Sequence, residues 1–274
     1  MAEIKKYPTL KEIHDAHAWK REYERYLPVS RFIFRPVGFI ATWVCIRLGL
    51  SSEMVSWLSG FIAVGGFLCL LSNHMGLLPV GIGLLLMFNL FDCIDGSIAR
   101  VMKTENPYGR YLDALMAWTD MFFWCAIGIM IYQHPQFCLW PTPFGKTGIF
   151  WLAVGATTSF LFIYAAFIEH IFDTLLRDDW NKLSGKSKPE DHKNNVAATD
   201  SLWGKLFRIT LQNLRVRETQ YLLLIIAYIM KSVDILLSIF LLFNMLHVFF
   251  LIIIYHIRGK AVYDSKISSR RIHQ

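Results

Sequence analysis

Apolar residues run in stretches of about 20, the length a helix needs to cross some 30 Å of hydrocarbon, near residues 53 to 72, 77 to 99, 111 to 132 and 148 to 172. From Gln212 the apolar run to Ile257 is too long for one crossing. Lys231-Ser232-Val233-Asp234 marks a polar turn that divides it into spans near 213 to 231 and 234 to 257. The pattern predicts an all-α integral membrane protein with six transmembrane helices. Arg31 to Leu50 is apolar as well, but it holds Arg35-Pro36 and Arg47, with Trp43 between them. Basic stems that snorkel at both ends predict a helix lying in the interface, with a seventh span as the alternative. Asp173 to Arg208 is the one sizeable polar insertion. Its 182 to 193 stretch, rich in Ser, Lys, Pro, Asp and Asn, reads as a mobile loop beside an amphipathic piece, Ser201 to Leu211, suited to a membrane surface.

Composition agrees with this class: the 274 residues are 54% hydrophobic and 18% charged, and mean hydropathy is +0.38, outside the balance of a soluble domain. Met1 to Arg25 is polar and lacks an apolar core, so no cleavable signal peptide is expected. The five cysteines, Cys45, Cys69, Cys93, Cys125 and Cys138, form no CxxC pair and read as small hydrophobes.

Basic residues in short loops set the orientation. Lys5, Lys6, Lys11, Lys20, Arg21, Arg25, Arg31 and Arg35 precede the first span, Arg100, Lys103 and Arg110 join the second and third, and Arg258, Lys260, Lys266, Arg270 and Arg271 follow the last. The opposite loops offer only Lys146 and Lys231. Both termini are therefore expected on the cytoplasmic face of a cytoplasmic or inner membrane. The organisation is a cytoplasmic N-terminus and interfacial helix over 1–50, a six-helix domain over 51–258 that includes a cytoplasmic loop at 173–211, and a cytoplasmic tail over 259–274. A net charge of +7 fits this bias and anionic lipid, and no nucleic-acid module is visible.

One stretch departs from the pattern. Asp92-Cys-Ile-Asp95-Gly96-Ser-Ile-Ala99-Arg100, eight residues, then Gly109-Arg-Tyr-Leu-Asp113 places three carboxylates in or beside strongly apolar sequence. A charge at membrane depth costs roughly 3 kcal/mol on insertion scales, so it reads as functional. Asp92 and Asp95 share a helix face, and Asp113 opens the next, antiparallel span. Gly96 and Ala99 clear space beside the carboxylates, and Arg100 supplies a fork for phosphate oxygens. Carboxylates of this kind are hard ligands suited to Mg²⁺ or Mn²⁺ shared with a substrate phosphate. The pattern suits metal-assisted displacement at a pyrophosphate. Aspartates that merely cap helices are the structural alternative. Three of them at this spacing, with Gly, Ala and Arg between, disfavour it.

These residues resemble the CDP-alcohol phosphotransferases, also called CDP-alcohol phosphatidyltransferases, whose signature is D-x2-D-G-x2-A-R-x(7 to 9)-G-x3-D-x3-D. Asp92, Asp95, Gly96, Ala99, Arg100, Gly109 and Asp113 match it. Upstream, Leu50-Ser-Ser-Glu-Met-Val-Ser56 stands where the family has threonine, proline and asparagine, with Ser51, Ser52 and Glu53 in their place. The resemblance implies a six-helix enzyme, commonly a homodimer, in which a CDP-linked donor binds at a cytoplasm-facing cavity. An acceptor hydroxyl attacks the β-phosphorus, and CMP leaves. By position, Asp92, Asp95 and Asp113 would hold Mg²⁺ or Mn²⁺, and Gly96, Ala99, Arg100 and Gly109 would shape the cytidine-diphosphate site. Asp113 would also serve catalysis.

The pattern breaks at Ala117, where the family's fourth aspartate, its proposed base and a ligand of the second metal, would stand. Asp120 lies seven residues beyond Asp113 on the same helix face, about 10.5 Å along the axis. It is either a base acting through water or a buried hydrogen-bonded acid. Three explanations follow for Ala117: a divergent active branch with another base or one metal, a catalytically silent relative, or an engineered inactive variant. Arg215 and Arg217 are candidate clamps for an acceptor phosphate or headgroup, or plain membrane anchors. Glu169 and His170 could supply a base or act as interfacial hydrogen-bonding groups. His247 and His256 read as packing or interfacial residues. The expected activity is transfer from a CDP-linked donor, with CDP-diacylglycerol favoured over a CDP-headgroup, to an alcohol acceptor in phospholipid biosynthesis. A non-catalytic relative that binds nucleotide or metal and a divalent-cation carrier are the rivals.

Overall fold

Every regular element among the described residues is helical. The computed structural model describes residues 7–20, 23–140, 149–185 and 202–272. Lys5, Lys6, Arg21 and Lys146 of the charge count lie outside them, as does most of the loop read as mobile.

The first helix, α1 (Leu10–Ala16), starts on a capping box: Thr9 Oγ1 accepts from the Glu12 amide at 3.3 Å, and the Glu12 carboxylate accepts from the Thr9 amide at 2.7 Å. Two short 3-10 turns, Ala18–Lys20 and Tyr23–Tyr26, and a π-type turn at Ser30–Phe34 lead into α2 (Arg35–Arg47), with Pro36 in its first turn. The 13 residues of α2 cover about 20 Å, and α2 is not among the described stretches long and apolar enough to cross a membrane. Its Gly38, Thr42, Cys45 and Ile46 are buried, while Val37, Ile40 and Val44 point outward.

Among the described residues five helical stretches are long and apolar enough to cross a membrane: Ser52–Leu70, Met75–Met102, Pro107–Gln133, Ile149–Leu175 and Val233–Ile267. They contain α3 (Ser52–Leu70), α4 (Leu78–Met102), α5 (Pro107–Ala117) followed by α6 (Phe123–Gln133), α7 (Ile149–Leu175) and most of the last helix. Large apolar side chains such as Phe61, Leu68, Phe160 and Leu242 are exposed along them, as lipid-facing surfaces require. These five stretches coincide with five of the six expected spans.

The expected span at 213 to 231 is organised differently. After α8 (Arg177–Leu183), α9 (Leu202–Arg215) carries on through the piece read as amphipathic, and Val216 breaks it from α10 (Arg217–Ile229). With 13 residues, α10 covers about 20 Å, less than the apolar core of a bilayer. The polar turn at Lys231 to Asp234 is present: Lys231 takes φ 52°, and α11 (Val233–Ile272) begins just beyond it. Buried Asp234 accepts from the Leu139 and Trp140 amides at 3.1 and 2.9 Å, tying the loop after α6 to the start of α11.

The main core joins α3, α4, α6, α7, α10 and α11 around Phe88, Phe123, Trp124, Tyr221 and Phe240, with Trp124 stacked on Phe240 at 4.2 Å. Helices α6 and α7 approach closely at Gly128 and Gly155. A Cβ on Gly155 would fall 2.7 Å from the Gly128 Cα, so only a pair of glycines lets these backbones meet. A second apolar cluster of Ile13, Cys45, Ile46, Val55, Ile94 and Ile98 ties α1 and α2 to α3 and α4 beside the acidic motif.

Candidate functional site

The turn between α4 and α5 positions the motif. Lys103 closes α4 in the left-handed conformation at φ 54°, and the Thr104 amide returns to the Ala99 carbonyl at 2.9 Å. Three residues later Asn106 caps α5 by accepting from the Gly109 amide at 2.7 Å, while its Nδ2 donates to Glu53 at 3.2 Å. The chain therefore reverses in the few residues between Arg100 and Gly109.

Within this turn a cavity of about 250 Å³ is lined by Asp95, Gly96, Ala99, Arg100, Gly109 and Asp113, together with Trp19, Lys20, Ser52, Glu53 and Asn106. Six of the seven motif residues thus face one space, and Asp92 is the exception. Its volume lies near the lower end for ligand pockets. Gly96 has a specific reason to be glycine: a Cβ there would sit 3.1 Å from Arg100 Nη1, so its absence lets the guanidinium lie against its own helix.

The carboxylates occupy unlike surroundings. Asp95 is buried and accepts from Ser56 Oγ and from the Gly96 amide, each at 2.5 Å, while its carbonyl accepts from Ser52 Oγ at 2.9 Å. Asp113 is the exposed aspartate of the cavity wall. Asp92 is half-buried and turns toward α10, where its Oδ2 lies 3.3 Å from Arg217 Nη1.

Asp120 departs from the position expected of a straight helix. The α-helix ends at Ala117, and a 3-10 turn over Trp118–Phe122 carries the chain to α6. A 3-10 turn is tighter and rises more per residue than α, so the seven-residue register from Asp113 is lost. Asp120 is buried, accepts from Tyr221 Oη, and holds Arg217 Nε at 3.3 Å. Arg217 also donates from Nη2 to the Ala117 carbonyl at 3.5 Å and lies over the Phe88 ring, 4.6 Å from its centroid. The geometry therefore gives Arg217 an internal anchoring position between Asp92 and Asp120, beneath position 117. Arg215 pairs with Glu169 at 2.7 Å, and neither they nor His170 line the cavity.

As a test for a divalent cation, the donor set is right in kind, since carboxylate oxygens suit a hard ion. Among the described residues no three His, Cys, Asp or Glu side chains are grouped to hold a metal. Mg²⁺ is ordinarily held by one or two carboxylates, with water and substrate phosphates completing the shell. Asp95 and Asp113 on the cavity wall fit an ion that arrives with a phosphate.

The N-terminal segment reaches the site through a buried network. His17 Nε2 and Arg35 Nη2 meet Glu24 Oε1 at 2.9 and 2.7 Å. Burial holds the His17 imidazole below its usual 6.5, against the opposing pull of Glu24. Burial alone favours protonated Glu24, but the His17 hydrogen bond and Arg35 outweigh it and hold the acid below its usual 4.5. Both docked groups thus bind protons less readily than undocked ones, so acid weakens docking. The His17 contribution is complete above about pH 6.5 and is lost as pH falls below it, and the Glu24 contribution follows below about 4.5. Hydrogen exchange over residues 10–26, corrected for intrinsic rates, should accelerate between about pH 7.5 and 5. Unchanged protection across that range would refute the coupling.

Sequence reasoning passed over Ser56, Asn106, Trp19, Lys20 and Tyr221 and gave little weight to Ser52 and Glu53. The spacing of Ser52 and Ser56, one helical turn apart at the head of an apolar span, was the available signal for the Asp95 partners. No local signal pairs Tyr221 with a residue 101 positions away. Residues 50–180 match the family model of CDP-alcohol phosphatidyltransferase. No curated protein matches the chain.

Proposed function

We propose, from the match of residues 50–180 to the family model of CDP-alcohol phosphatidyltransferase, that this protein is a membrane transferase of phospholipid synthesis. It moves a phosphatidyl or substituted phosphoryl group from a CDP-linked donor, CDP-diacylglycerol in our reading, to an alcohol acceptor and releases CMP. The observation that carries the proposal is the single cavity lined by Asp95, Gly96, Ala99, Arg100, Gly109 and Asp113.

In this reading the polar head of the donor fills the cavity, and its acyl chains remain among the lipids. The Arg100 fork orients the pyrophosphate, assisted by the room that Gly96 leaves. Asp95 and Asp113 would hold a divalent cation, Mg²⁺ or Mn²⁺, which would supply charge neutralisation at the pyrophosphate. The acceptor oxygen bonds to the β-phosphorus, and the bond from that phosphorus to the CMP oxygen breaks. Asp113, exposed in the cavity, receives the hydroxyl proton, since both Asp120 oxygens are engaged by Tyr221 and Arg217. Positioning supplies most of the catalysis. We place both termini and the cavity on the cytoplasmic side, α2 in the interface, and α9 with α10 as the remaining membrane element of a six-helix protein that works as a homodimer.

Alanine at position 117, with Arg217 directed at its carbonyl, favours a second reading, a nucleotide-binding relative without turnover. The decisive measurement is divalent-dependent CMP release from CDP-diacylglycerol by the purified protein across a panel of alcohols. Release with at least one acceptor is expected. Donor binding without release from any acceptor would sink the enzyme reading and leave the second.

A further inference from the structure

Part of the cavity wall comes from chain that precedes the matched domain, where Trp19 and Lys20 join Asp95, Arg100 and Asp113. This stretch is fixed in place from several sides. Ile13 packs into the cluster with Ile94 and Ile98, Glu24 holds His17 and Arg35, and Asn213 Nδ2 donates to the Tyr26 carbonyl at 2.8 Å. Ser30 Oγ donates to Glu218 at 2.9 Å. The residues at the cavity are therefore held by a docked segment.

Their chemistry is that of a nucleotide's two ends. Lys20 is half-buried. Burial, followed by the charges of Arg100 and Arg35, holds its ammonium below the usual lysine range. Arg35 is committed to Glu24, whereas Lys20 and Arg100 share the cavity. Arg110 lines the same space, as do the acids Glu53, Asp95, Glu105 and Asp113, so an anion that enters between Lys20 and Arg100 meets two cations on one side of a mixed-charge wall. Beside them the Trp19 ring is 54% exposed, with Lys20 Nζ 5.2 Å from its centroid. An indole in that position offers a flat face on which a base can stack.

We propose that Trp19 and Lys20 complete the donor site: Lys20 holds a phosphate of the CDP moiety beside Arg100, and Trp19 stacks on the cytosine ring. This assignment rests on the reading of the cavity as the site of a CDP-linked donor. It makes the N-terminal segment a part of substrate recognition, although it lies outside the family domain.

Calorimetric titration of CDP, CMP and pyrophosphate into the full-length protein with Mg²⁺ separates the two contributions. Lys20→Ala should weaken CDP and pyrophosphate about tenfold, the size of one charge-assisted hydrogen bond. Trp19→Ala should weaken CDP and CMP about tenfold and leave pyrophosphate unchanged, because only the base stacks. Lys20→Arg and Trp19→Phe should each restore affinity to within about threefold of the original. The proposal fails if the unaltered protein binds CDP and both alanine variants bind it equally well. It also fails if Trp19→Ala weakens pyrophosphate as much as CDP, which would mark displacement of the segment. A protein that binds no CDP overturns the donor reading itself, and this assignment with it.

Discussion

Arg217→Met is expected to destabilise the protein by about 3 kcal/mol or more, the usual result of breaking a buried ion pair from one side. The guanidinium lies 3.3 Å from both Asp92 and Asp120, lies over the Phe88 ring and reaches the Ala117 carbonyl. Methionine keeps the apolar stem but leaves Asp120 buried beside Tyr221 with no counter-charge. Lysine should rescue only in part, because a single ammonium cannot hold two carboxylates and a carbonyl as a planar fork does. Adding Asp120→Asn to Arg217→Met should recover part of the loss, since the uncompensated charge is then removed. Thermal unfolding in detergent of the two single variants and the double reads this coupling. Strictly additive losses would exclude it.

Asp95→Asn should leave the fold intact and lower CMP release by about 10²- to 10³-fold, the scale on which one preorganised electrostatic group acts. Asp95 accepts from Ser56 Oγ and the Gly96 amide. An asparagine can keep both contacts, its oxygen accepting from the Gly96 amide and its NH₂ donating to Ser56 Oγ, which turns its own proton to the Ser52 carbonyl. The charge that would meet a metal and phosphate is lost at the same time. Ser56→Ala removes one hydrogen bond but keeps the carboxylate, so its activity loss should be much smaller. Equal losses in Asp95→Asn and Ser56→Ala, or turnover retained in Asp95→Asn, would show that Asp95 acts only as a structural anchor for α3.

Five of the spans were legible because each carries its own apolar run, and the bilayer fixes the length such a run needs. The internal organisation of the 213 to 231 segment was not legible in the same way. Apolar length alone does not register the break at Val216, where the backbone turns extended between α9 and α10. The motif was legible because its residues lie close in sequence across one tight turn. The surroundings of Asp92 and Asp120 were not legible, since they are set by Arg217 and Tyr221, about a hundred residues away, and by a 3-10 turn with no proline or glycine to announce it. Trp19 and Lys20 stayed hidden for a related reason. In a polar N-terminal stretch a lysine reads as a membrane-side charge, and only tertiary docking turns it toward Arg100 and Asp113.

The 3-10 turn at Trp118–Phe122 also gives the third span a joint. It interrupts the regular ladder of hydrogen bonds between α5, which packs against α3, and α6, which packs against α7, α11 and also α3. A continuous α-helix keeps one hydrogen-bond pattern along its whole length, whereas a 3-10 turn part-way along a span changes it. Asp113 lies on one side of this joint and the Trp124–Phe240 stack on the other. The change of helix type thus separates the half of the span that lines the cavity from the half that packs into the main core.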